Sequence, residues 1–508
     1  MKIRSIVNLF FLALILTAGL RIVRAQDAPL QGFDDYVNQA MKGWEVPGVA
    51  IAVIKDDKIV LAKGYGVREL GKPEPVDERT IFAIGSSSKA FTAASLAMLA
   101  DEKKLKWDDS VTKYLPDFQL YDPYVTREMT VRDMLTHRIG LERGDQLWYA
   151  TPYSREEVLH RIRFLEPSSS LRSRFGYQNI MYLAAGQIIP SITSTSWDDF
   201  VQTRIFSPLG MKDSGTSVTT LSRSSDVATP HVKIDDRVRP VAWRNVDNIG
   251  PAGSINSNVV DMAQWVRLQL GKGKYGGKQL ISESAVREMQ TPQTIMRIEG
   301  PYTFFYPDAH FLNYGMGWFL SDFRGKKLVE HGGAIDGMRG IVAMIPEENV
   351  GVVILTNMNG TLVPQFLSYR VFDAFLGKGP TDWAGEGLKN YQALLNLAQA
   401  AQDKALADRV KGTAPSLDLR QYAGKYQSEM YGDAEIKFSD GKLTAHFGPN
   451  FKGELEHWNY DTFQVVWSDP VLGKGLMQFS LDNKGKVEAV NFGGMGKFIR
   501  LPDDKAEK

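Results

Sequence analysis

The feature that most restricts the fold of this 508-residue chain is the placement of its strand-forming runs. Apolar runs at 49–54 and 59–65 surround the turn residues Asp56 and Asp57, which predicts an early β-hairpin. Helical periodicity and polar loops dominate the middle of the chain. Short β-rich runs return at 318–322, 327–330, 340–345 and 350–357. This order predicts an α+β fold: an antiparallel sheet built from both ends of the region in an α/β sandwich, with an inserted all-α lobe and a cleft between the two.

A second, smaller domain is predicted at the C-terminus. From Tyr422 onward strand signals are dense, and alternating apolar residues surround the Asp-Gly turn at 440–441, which is a strong hairpin signature. The number of strand signals favours an all-β, barrel-like domain. We therefore predict a first domain over 26–380, a helical linker over 381–414 and the barrel over 415–508.

Residues 1–25 have the pattern of a secretory signal peptide. Lys2 and Arg4 precede an apolar run over 6–20, and Val23-Arg24-Ala25 is an acceptable cleavage site. The run is short for a membrane span, and an uncleaved anchor is the alternative. We therefore predict an exported protein, periplasmic or secreted, with no stable membrane span after cleavage.

Composition argues against several other classes of protein. The chain has no cysteine, so disulfides and zinc–thiolate sites are ruled out. Removing residues 1–25 moves the formal charge from +1 to −3, and no basic block remains for nucleic acid. The seven histidines are scattered without helical pairing. We predict no metal, no cofactor and no nucleic-acid partner.

The segment Gly85-Ser86-Ser87-Ser88-Lys89 carries the first chemical motif. The helix-forming residues 90–103 follow it, so Ser86 is expected at or just inside a helix N-terminus with Lys89 one turn later. A partly buried lysine can act as the base that a serine nucleophile needs. The alternative is a helix-capping serine followed by a solvated lysine. Ser110 to Lys113 has the same spacing and is interpreted as a surface turn.

Two later segments offer partners for Ser86. Tyr177-Gln178-Asn179 lies at a turn before a predicted helix, where a tyrosine can shuttle the serine proton if lysine charge lowers its pKa. Asn179 can hold both the lysine and a substrate amide. His331-Gly332-Gly333-Ala334 ends a predicted strand, from which the Ala334 N–H would be a second oxyanion donor beside the Ser86 N–H.

Together and in this order, the three motifs resemble the set found in serine β-lactamases and penicillin-binding proteins, in particular the class C β-lactamase-like serine hydrolases. The likeness covers about residues 30–378 and includes several supporting phrases. These are Val46-Pro47-Gly48-Val49, Leu135-Thr136-His137 with Gly140-Leu141, Pro251-Ala252-Gly253 and Tyr314-Gly315-Met316-Gly317-Trp318. The C-terminal domain resembles the lipocalin-like domain attached to some of these hydrolases.

The resemblance implies an exported hydrolase with a β-lactamase/transpeptidase-like fold that cleaves an amide or ester bond. Ser86 would be the acylated nucleophile, and Lys89 and Tyr177 the general-base pair for acylation and deacylation. The substrate would be a small molecule or a peptide. Peptidase, amidase and esterase activities all stay open, and so does the oligomeric state.

The resemblance also assigns roles to the second and third motifs. Asn179 would position substrate, and Gly333 and Ala334 would shape the oxyanion hole. His331 would replace the lysine of the Lys-Thr-Gly found in true class C β-lactamases, giving polar or cationic help. That replacement weakens the case for efficient antibiotic hydrolysis. The alternatives are a penicillin-binding or sensor-like protein that acylates without efficient turnover, and a true β-lactamase.

The role of the C-terminal domain is open at the level of sequence. It would either bind a lipid, a sugar or a partner, or cover the cleft. Trp458 and Trp467 are candidates for lining a ligand pocket in this domain. The alternative is that both side chains belong to its hydrophobic core.

Overall fold

The computed structural model describes residues 29–448 and 450–502. Its largest sheet contains the strands β1 (Gly48–Lys55), β2 (Lys58–Gly66), β3 (Thr294–Met296), β4 (Leu312–Tyr314), β5 (Phe319–Phe323), β6 (Lys326–Ile335), β7 (Met338–Ile345) and β8 (Val350–Thr356). These eight strands are antiparallel and lie in the order β2-β1-β8-β7-β6-β5-β4-β3. The N-terminal hairpin therefore pairs with the last strand of the region, as predicted.

Helices pack on both faces of this sheet and build the lobe inserted into it. The helices of the described residues include α1 (Phe33–Trp44), α2 (Ser88–Asp101), α3 (Pro123–Glu128), α4 (Val131–Leu135), α5 (Arg155–Arg161), α6 (Asn179–Thr193), α7 (Trp197–Val201), α8 (Val259–Leu270), α9 (Glu283–Met289), α10 (Tyr302–Phe305), α11 (Val363–Phe375) and α12 (Trp383–Ala407). Successive side chains of a strand point to opposite faces. In β1, Val49, Ile51 and Val53 pack toward α1 and α11, and Ala50, Ala52 and Ile54 pack toward α2 and α8.

The segment between β2 and β3 forms the inserted lobe. It contains most of the shorter helices and, within the described residues, three two-stranded sheets that the sequence analysis did not predict. Their strands span two to four residues each, too few for an alternating pattern to be recognised. The short strands β3 and β4 at one end of the large sheet were not predicted for the same reason.

The C-terminal domain is a closed barrel. Its strands are β9 (Gly424–Ser428), β10 (Gly432–Ser439), β11 (Lys442–Phe447), β12 (Phe451–Asn459), β13 (Thr462–Trp467), β14 (Lys474–Leu481), β15 (Val487–Phe492) and β16 (Gly496–Arg500). Sequential strands pair antiparallel, and β9 pairs with β16 to close the barrel. Both the α+β class and the barrel are thus confirmed.

The predicted signal over 1–25 falls outside the described residues. The helix α12 lies between the sheet region and the barrel, and the domain boundaries themselves stay predictions. Among the described residues, we find no helix with the length and apolar character required to cross a bilayer.

Candidate active site

Ser86 lies in the 3₁₀ turn Gly85–Ser87, which leads directly into α2. The turn packs against the end of β6 with almost no space between the two backbones. A Cβ atom on Gly333 would lie 1.8 Å from the Ile84 carbonyl oxygen, and one on Gly85 would lie 2.7 Å from the Ala334 nitrogen. Glycine at these two positions therefore brings the nucleophile turn and the third motif into contact.

Lys89 is fully buried on the first turn of α2. Its Nζ lies 3.0 Å from Ser86 Oγ, 2.7 Å from Asn179 Oδ1 and 2.9 Å from the Ala252 carbonyl oxygen. Burial lowers the pKa of Lys89 well below its usual value, and the charge of Arg143 adds to this effect. In its deprotonated form, the amine would have two N–H groups for the two acceptors and would keep its lone pair for the Ser86 hydroxyl proton.

The orientation of the Asn179 amide follows from its second partner. Asn179 is the first residue of α6, and its Nδ2 donates to Asp145 Oδ1 at 2.8 Å. An ionised carboxylate can only accept hydrogen bonds, so the amide nitrogen must face Asp145 and the amide oxygen must face Lys89. The Asn179 amide oxygen contacts Lys89 and its nitrogen is already engaged by Asp145, and the role of Asn179 toward a substrate stays a prediction.

Tyr177 lies beside the serine and the lysine. Lys89 Nζ is 4.9 Å from the centre of the Tyr177 ring. Burial raises the pKa of Tyr177, although a hydrogen bond with Ser86 and the charge of Arg143 oppose the rise. The lowering of this pKa by lysine charge, which we gave as the condition for a proton shuttle, is outweighed by desolvation of the phenolate. Tyr177 carries its proton at neutral pH, and its role in the general-base pair stays a prediction.

His331 is buried on β6 and is not a cation. Burial lowers the pKa of His331 to about 3, and the charge of Lys89 adds to the effect. Its Nδ1 lies 2.7 Å from the Gly332 carbonyl, so Nδ1 holds the proton, and Nε2 accepts from the Tyr314 hydroxyl at 3.0 Å. We expected His331 to act in the cleft either as an uncharged polar group or as a cation. With this lowered pKa, it is an uncharged polar group near neutral pH.

The strand β6 provides the predicted edge next to the serine. It pairs with β5 only over Lys326–Glu330, and its pairing with β7 continues to Ile335. Residues 331–335 are therefore open on the β5 side. This places Ala334 against Gly85. The N–H groups of Ala334 and Ser86 are the candidates for a two-donor oxyanion hole.

A cavity of about 290 Å³ opens onto Ser86. Besides the predicted site residues, it is lined by side chains that lie outside the three motifs. These include Arg143, Asp145, Trp148, Tyr149, Ile249 and Asp336. A sequence signal for Arg143 and Asp145 was available: both belong to the charged run over 142–145, which directly follows Gly140-Leu141. Nothing in the sequence marked Asp336, because an aspartate at a tight turn between strands is ordinary.

The supporting phrases also acquire structural roles. Ala252 supplies a carbonyl oxygen to Lys89. His137 is buried with its ring centre 4.3 Å from that of Tyr177, and its Nδ1 accepts from the Gln178 N–H at 3.1 Å. Gly317, at φ 78°, lets its loop approach the first turn of α2, where a Cβ would lie 2.9 Å from Ala90 Cα.

Comparison with known sequences agrees with this geometry. The profile of the Beta-lactamase family matches residues 33–373, and that of a domain of unknown function, DUF3471, matches residues 408–498. The unguisins hydrolase ungD of Aspergillus violaceofuscus is 30% identical over 458 residues, which cover 82% of this chain and 78% of that protein. Protein flp of Staphylococcus aureus is 25% identical over 345 residues, covering 67% of this chain and 65% of that protein.

Solved structures share the whole architecture. An octameric penicillin-binding protein homologue from Pyrococcus abyssi aligns over 93% of this chain and all of its own, with a TM-score of 0.62 and 23% identity. The structure of SurE aligns over 94% of this chain and all of its own, with a TM-score of 0.55 and 18% identity. The chain therefore belongs to the Beta-lactamase family, as a β-lactamase-related hydrolase or a penicillin-binding-protein-like protein.

Proposed function

We propose that this protein is a serine hydrolase that cleaves an amide or ester bond through an acyl-enzyme on Ser86. The observation that carries the proposal is the position of Lys89, whose Nζ lies 3.0 Å from Ser86 Oγ. Its two acceptor partners, Asn179 and the Ala252 carbonyl, use the N–H groups of the neutral amine. A base of this kind is what converts a serine hydroxyl into a nucleophile.

Acylation follows from this arrangement. Lys89 takes the hydroxyl proton as Ser86 Oγ attacks the substrate carbonyl carbon. The N–H groups of Ser86 and Ala334 stabilise the negative charge that develops on the carbonyl oxygen. The proton then passes from Lys89, with the protonated Tyr177 hydroxyl as an intermediate donor, to the leaving amine or alkoxide.

Deacylation uses the same groups, with water as the nucleophile and Ser86 Oγ as the leaving group. Water enters the cavity, Lys89 accepts a proton from it, and the hydroxide attacks the acyl carbon. Collapse of the intermediate releases the carboxylic acid and returns the proton to Ser86 Oγ. The presence of every group needed for this second half favours turnover over a sensor that stays acylated.

The chemistry of the third motif favours an amide or ester substrate other than a β-lactam antibiotic. His331 is neutral and buried, and the following glycines offer no hydroxyl for an antibiotic carboxylate. A relative named as a hydrolase of unguisins supports hydrolysis as the activity. Arg143 lies over the Tyr177 ring at the cavity mouth, with its side chain 60% exposed and its Nε paired with Asp145 Oδ2 at 2.6 Å.

Intact-mass spectrometry after incubation with a fluorophosphonate tests the nucleophile. We expect one covalent adduct on the wild type and none on Ser86→Ala. A parallel incubation with a penicillin separates the candidate functions. Labelling by the fluorophosphonate alone supports an esterase or peptidase, and a persistent penicillin adduct supports the sensor-like alternative. The absence of both adducts on folded protein would rule out the proposed mechanism.

We further propose that the protein is exported. The basis is the N-terminal pattern of Lys2, Arg4 and the apolar run over 6–20. Expression of the full chain in a bacterial host, followed by mass analysis of the product, tests it. Loss of residues 1–25 supports export with cleavage, and an intact N-terminus in the cytoplasmic fraction contradicts it.

A further inference from the structure

One loop connects the catalytic groups to the barrel. We call residues 143–153 the bridging loop. Near its start, Asp145 accepts the hydrogen bond from Asn179. Further along, Ala150 is buried in the hydrophobic core of the barrel. At its end, the Tyr153 hydroxyl donates to the Tyr431 carbonyl at 2.8 Å. The barrel therefore supports the loop that orients Asn179.

A chain of charged and polar groups makes a second connection. The Tyr149 hydroxyl, on the bridging loop, lies 2.7 and 2.6 Å from the two carboxylate oxygens of Asp336. Arg244 Nε donates to Asp336 Oδ2 at 2.7 Å, and Arg244 Nη2 donates to Asp469 Oδ2 at 2.6 Å. Tyr149 and Asp336 line the cavity at Ser86, whereas Asp469 lies on the barrel between β13 and β14.

Burial makes this chain of contacts energetically significant. The side chains of Asp336 and Arg244 are only 10% and 16% exposed, and that of Asp469 is 28% exposed. Ion pairs shielded in this way are screened less by salt than surface pairs. Loss of one partner leaves a charge that is partly buried and under-compensated, so the remaining groups rearrange.

The interior of the barrel is occupied by its own aromatic side chains. Trp467 packs with ring centres 5.5–6.0 Å from those of Phe451, Phe492 and Phe447. Tyr422 and Phe463 fill the other end, 5.2 Å apart. Trp467 is thus a core residue. This packing favours a supporting role for the barrel over the binding of a ligand in its centre.

We propose that Arg244 and Asp469 are positioning residues through which the barrel holds one wall of the active-site cavity. Asp469 fixes Arg244, Arg244 fixes Asp336, and Asp336 fixes Tyr149 and with it the bridging loop. The loop in turn presents Asp145 to Asn179, which orients Lys89. Neither Arg244 nor Asp469 lines the cavity, so both act through other residues. This inference rests on the proposed function of Ser86 and Lys89.

The test uses the full chain with Asp469→Asn, Arg244→Gln and the double variant. The matched control is Asp308→Asn. Arg324 bridges Asp308 and Asp373 much as Arg244 bridges two aspartates, and these residues do not line the cavity. For each variant we measure the second-order constant for fluorophosphonate acylation, kcat and KM for a small ester, and the melting temperature.

We expect Asp469→Asn and Arg244→Gln each to reduce the acylation constant by about 2- to 30-fold, the range for residues that act through a network. The reduction in turnover should appear mainly in kcat, because the cavity walls that bind a small ester keep their residues. The double variant should lose little more than Arg244→Gln, since the two residues act on the same contact. Asp469→Glu should recover part of the loss, and Asp308→Asn should acylate like the wild type.

Two results separate this inference from the proposed function. If the wild type acylates and folded Asp469→Asn or folded Arg244→Gln acylates at the same rate, the positioning role is wrong. The same conclusion follows if Asp308→Asn slows acylation equally, since the effect is then general destabilisation. If the wild type forms no adduct at Ser86, it is the proposed function that fails.

Discussion

Asp145 accepts a hydrogen bond from the Asn179 amide nitrogen, with 2.8 Å between Asp145 Oδ1 and Asn179 Nδ2. This contact turns the amide oxygen of Asn179 toward Lys89, 2.7 Å away. The geometry of the base therefore depends on a residue that lies outside the three motifs. It also explains why the bridging loop matters to the chemistry.

Asp145→Ala should slow acylation of Ser86 without unfolding the protein. The Asn179 amide would be free to turn its nitrogen toward Lys89, where it would compete for the lone pair. Small misplacements of catalytic groups cost up to about 100-fold in rate, and we expect a loss of about 10- to 100-fold. The measurement is the fluorophosphonate acylation constant. The control is Asp122→Ala, which removes a capping aspartate from α3, remote from the cavity. Equal rates for Asp145→Ala and the wild type would contradict the role of this contact.

The acylation rate should rise with pH as Lys89 loses its proton. The pKa of Lys89 lies well below its usual 10.5 because of burial, so the plateau should be reached well below pH 10.5. His331 cannot produce this limb, because its pKa of about 3 leaves it neutral throughout. Lys89→Met should lose about 100- to 10,000-fold, the usual contribution of a general base. A limb that survives in Lys89→Met would assign it to another group.

Gly333 and Gly332 form a matched pair for substitution by alanine. A Cβ on Gly333 would lie 1.8 Å from the Ile84 carbonyl oxygen, whereas the nearest atom to a Cβ on Gly332 is 3.6 Å away. We expect Gly333→Ala to lower the free energy of unfolding by about 1–3 kcal/mol, as overpacking does, and to displace the turn that holds Ser86. Gly332→Ala should leave both stability and acylation close to the wild type. Urea unfolding and the acylation assay measure the two effects, and similar behaviour of the two variants would contradict this account.

Glu330 should make stability depend on pH. Burial raises the pKa of Glu330 from 4.5 to about 7, while hydrogen bonds from Tyr306 and Gln365 oppose the rise. Between these two values the folded state binds more protons than the unfolded state, so the free energy of unfolding falls as pH rises. The full loss is about 3 kcal/mol, complete above pH 7. Glu330→Gln should remove this component, and the exposed control Glu299→Gln should retain it. Identical pH dependence of Glu330→Gln and the wild type in urea unfolding would refute the assignment.

Much of the molecule could be predicted from the sequence because the governing interactions are local. The hairpin of β1 and β2 follows from apolar runs around Asp56 and Asp57, and the start of α2 follows from the residues after Ser86. The i, i+3 spacing on a helix is enough to bring Lys89 to Ser86. The closed barrel likewise follows from many short alternating runs.

Tertiary structure alone decided the electrostatics and the partners that lie far apart in the chain. Burial, which no local sequence pattern reports, raises the pKa of Tyr177 and lowers the pKa of His331. Asp145 meets Asn179 only because the bridging loop folds back between α6 and the barrel. Asp469 reaches Arg244 across more than two hundred residues of sequence. The geometry of a helix fixes the distance between two residues three positions apart, so their spacing in the sequence predicts their contact. Desolvation and contacts between distant loops arise only when the parts of the chain pack together.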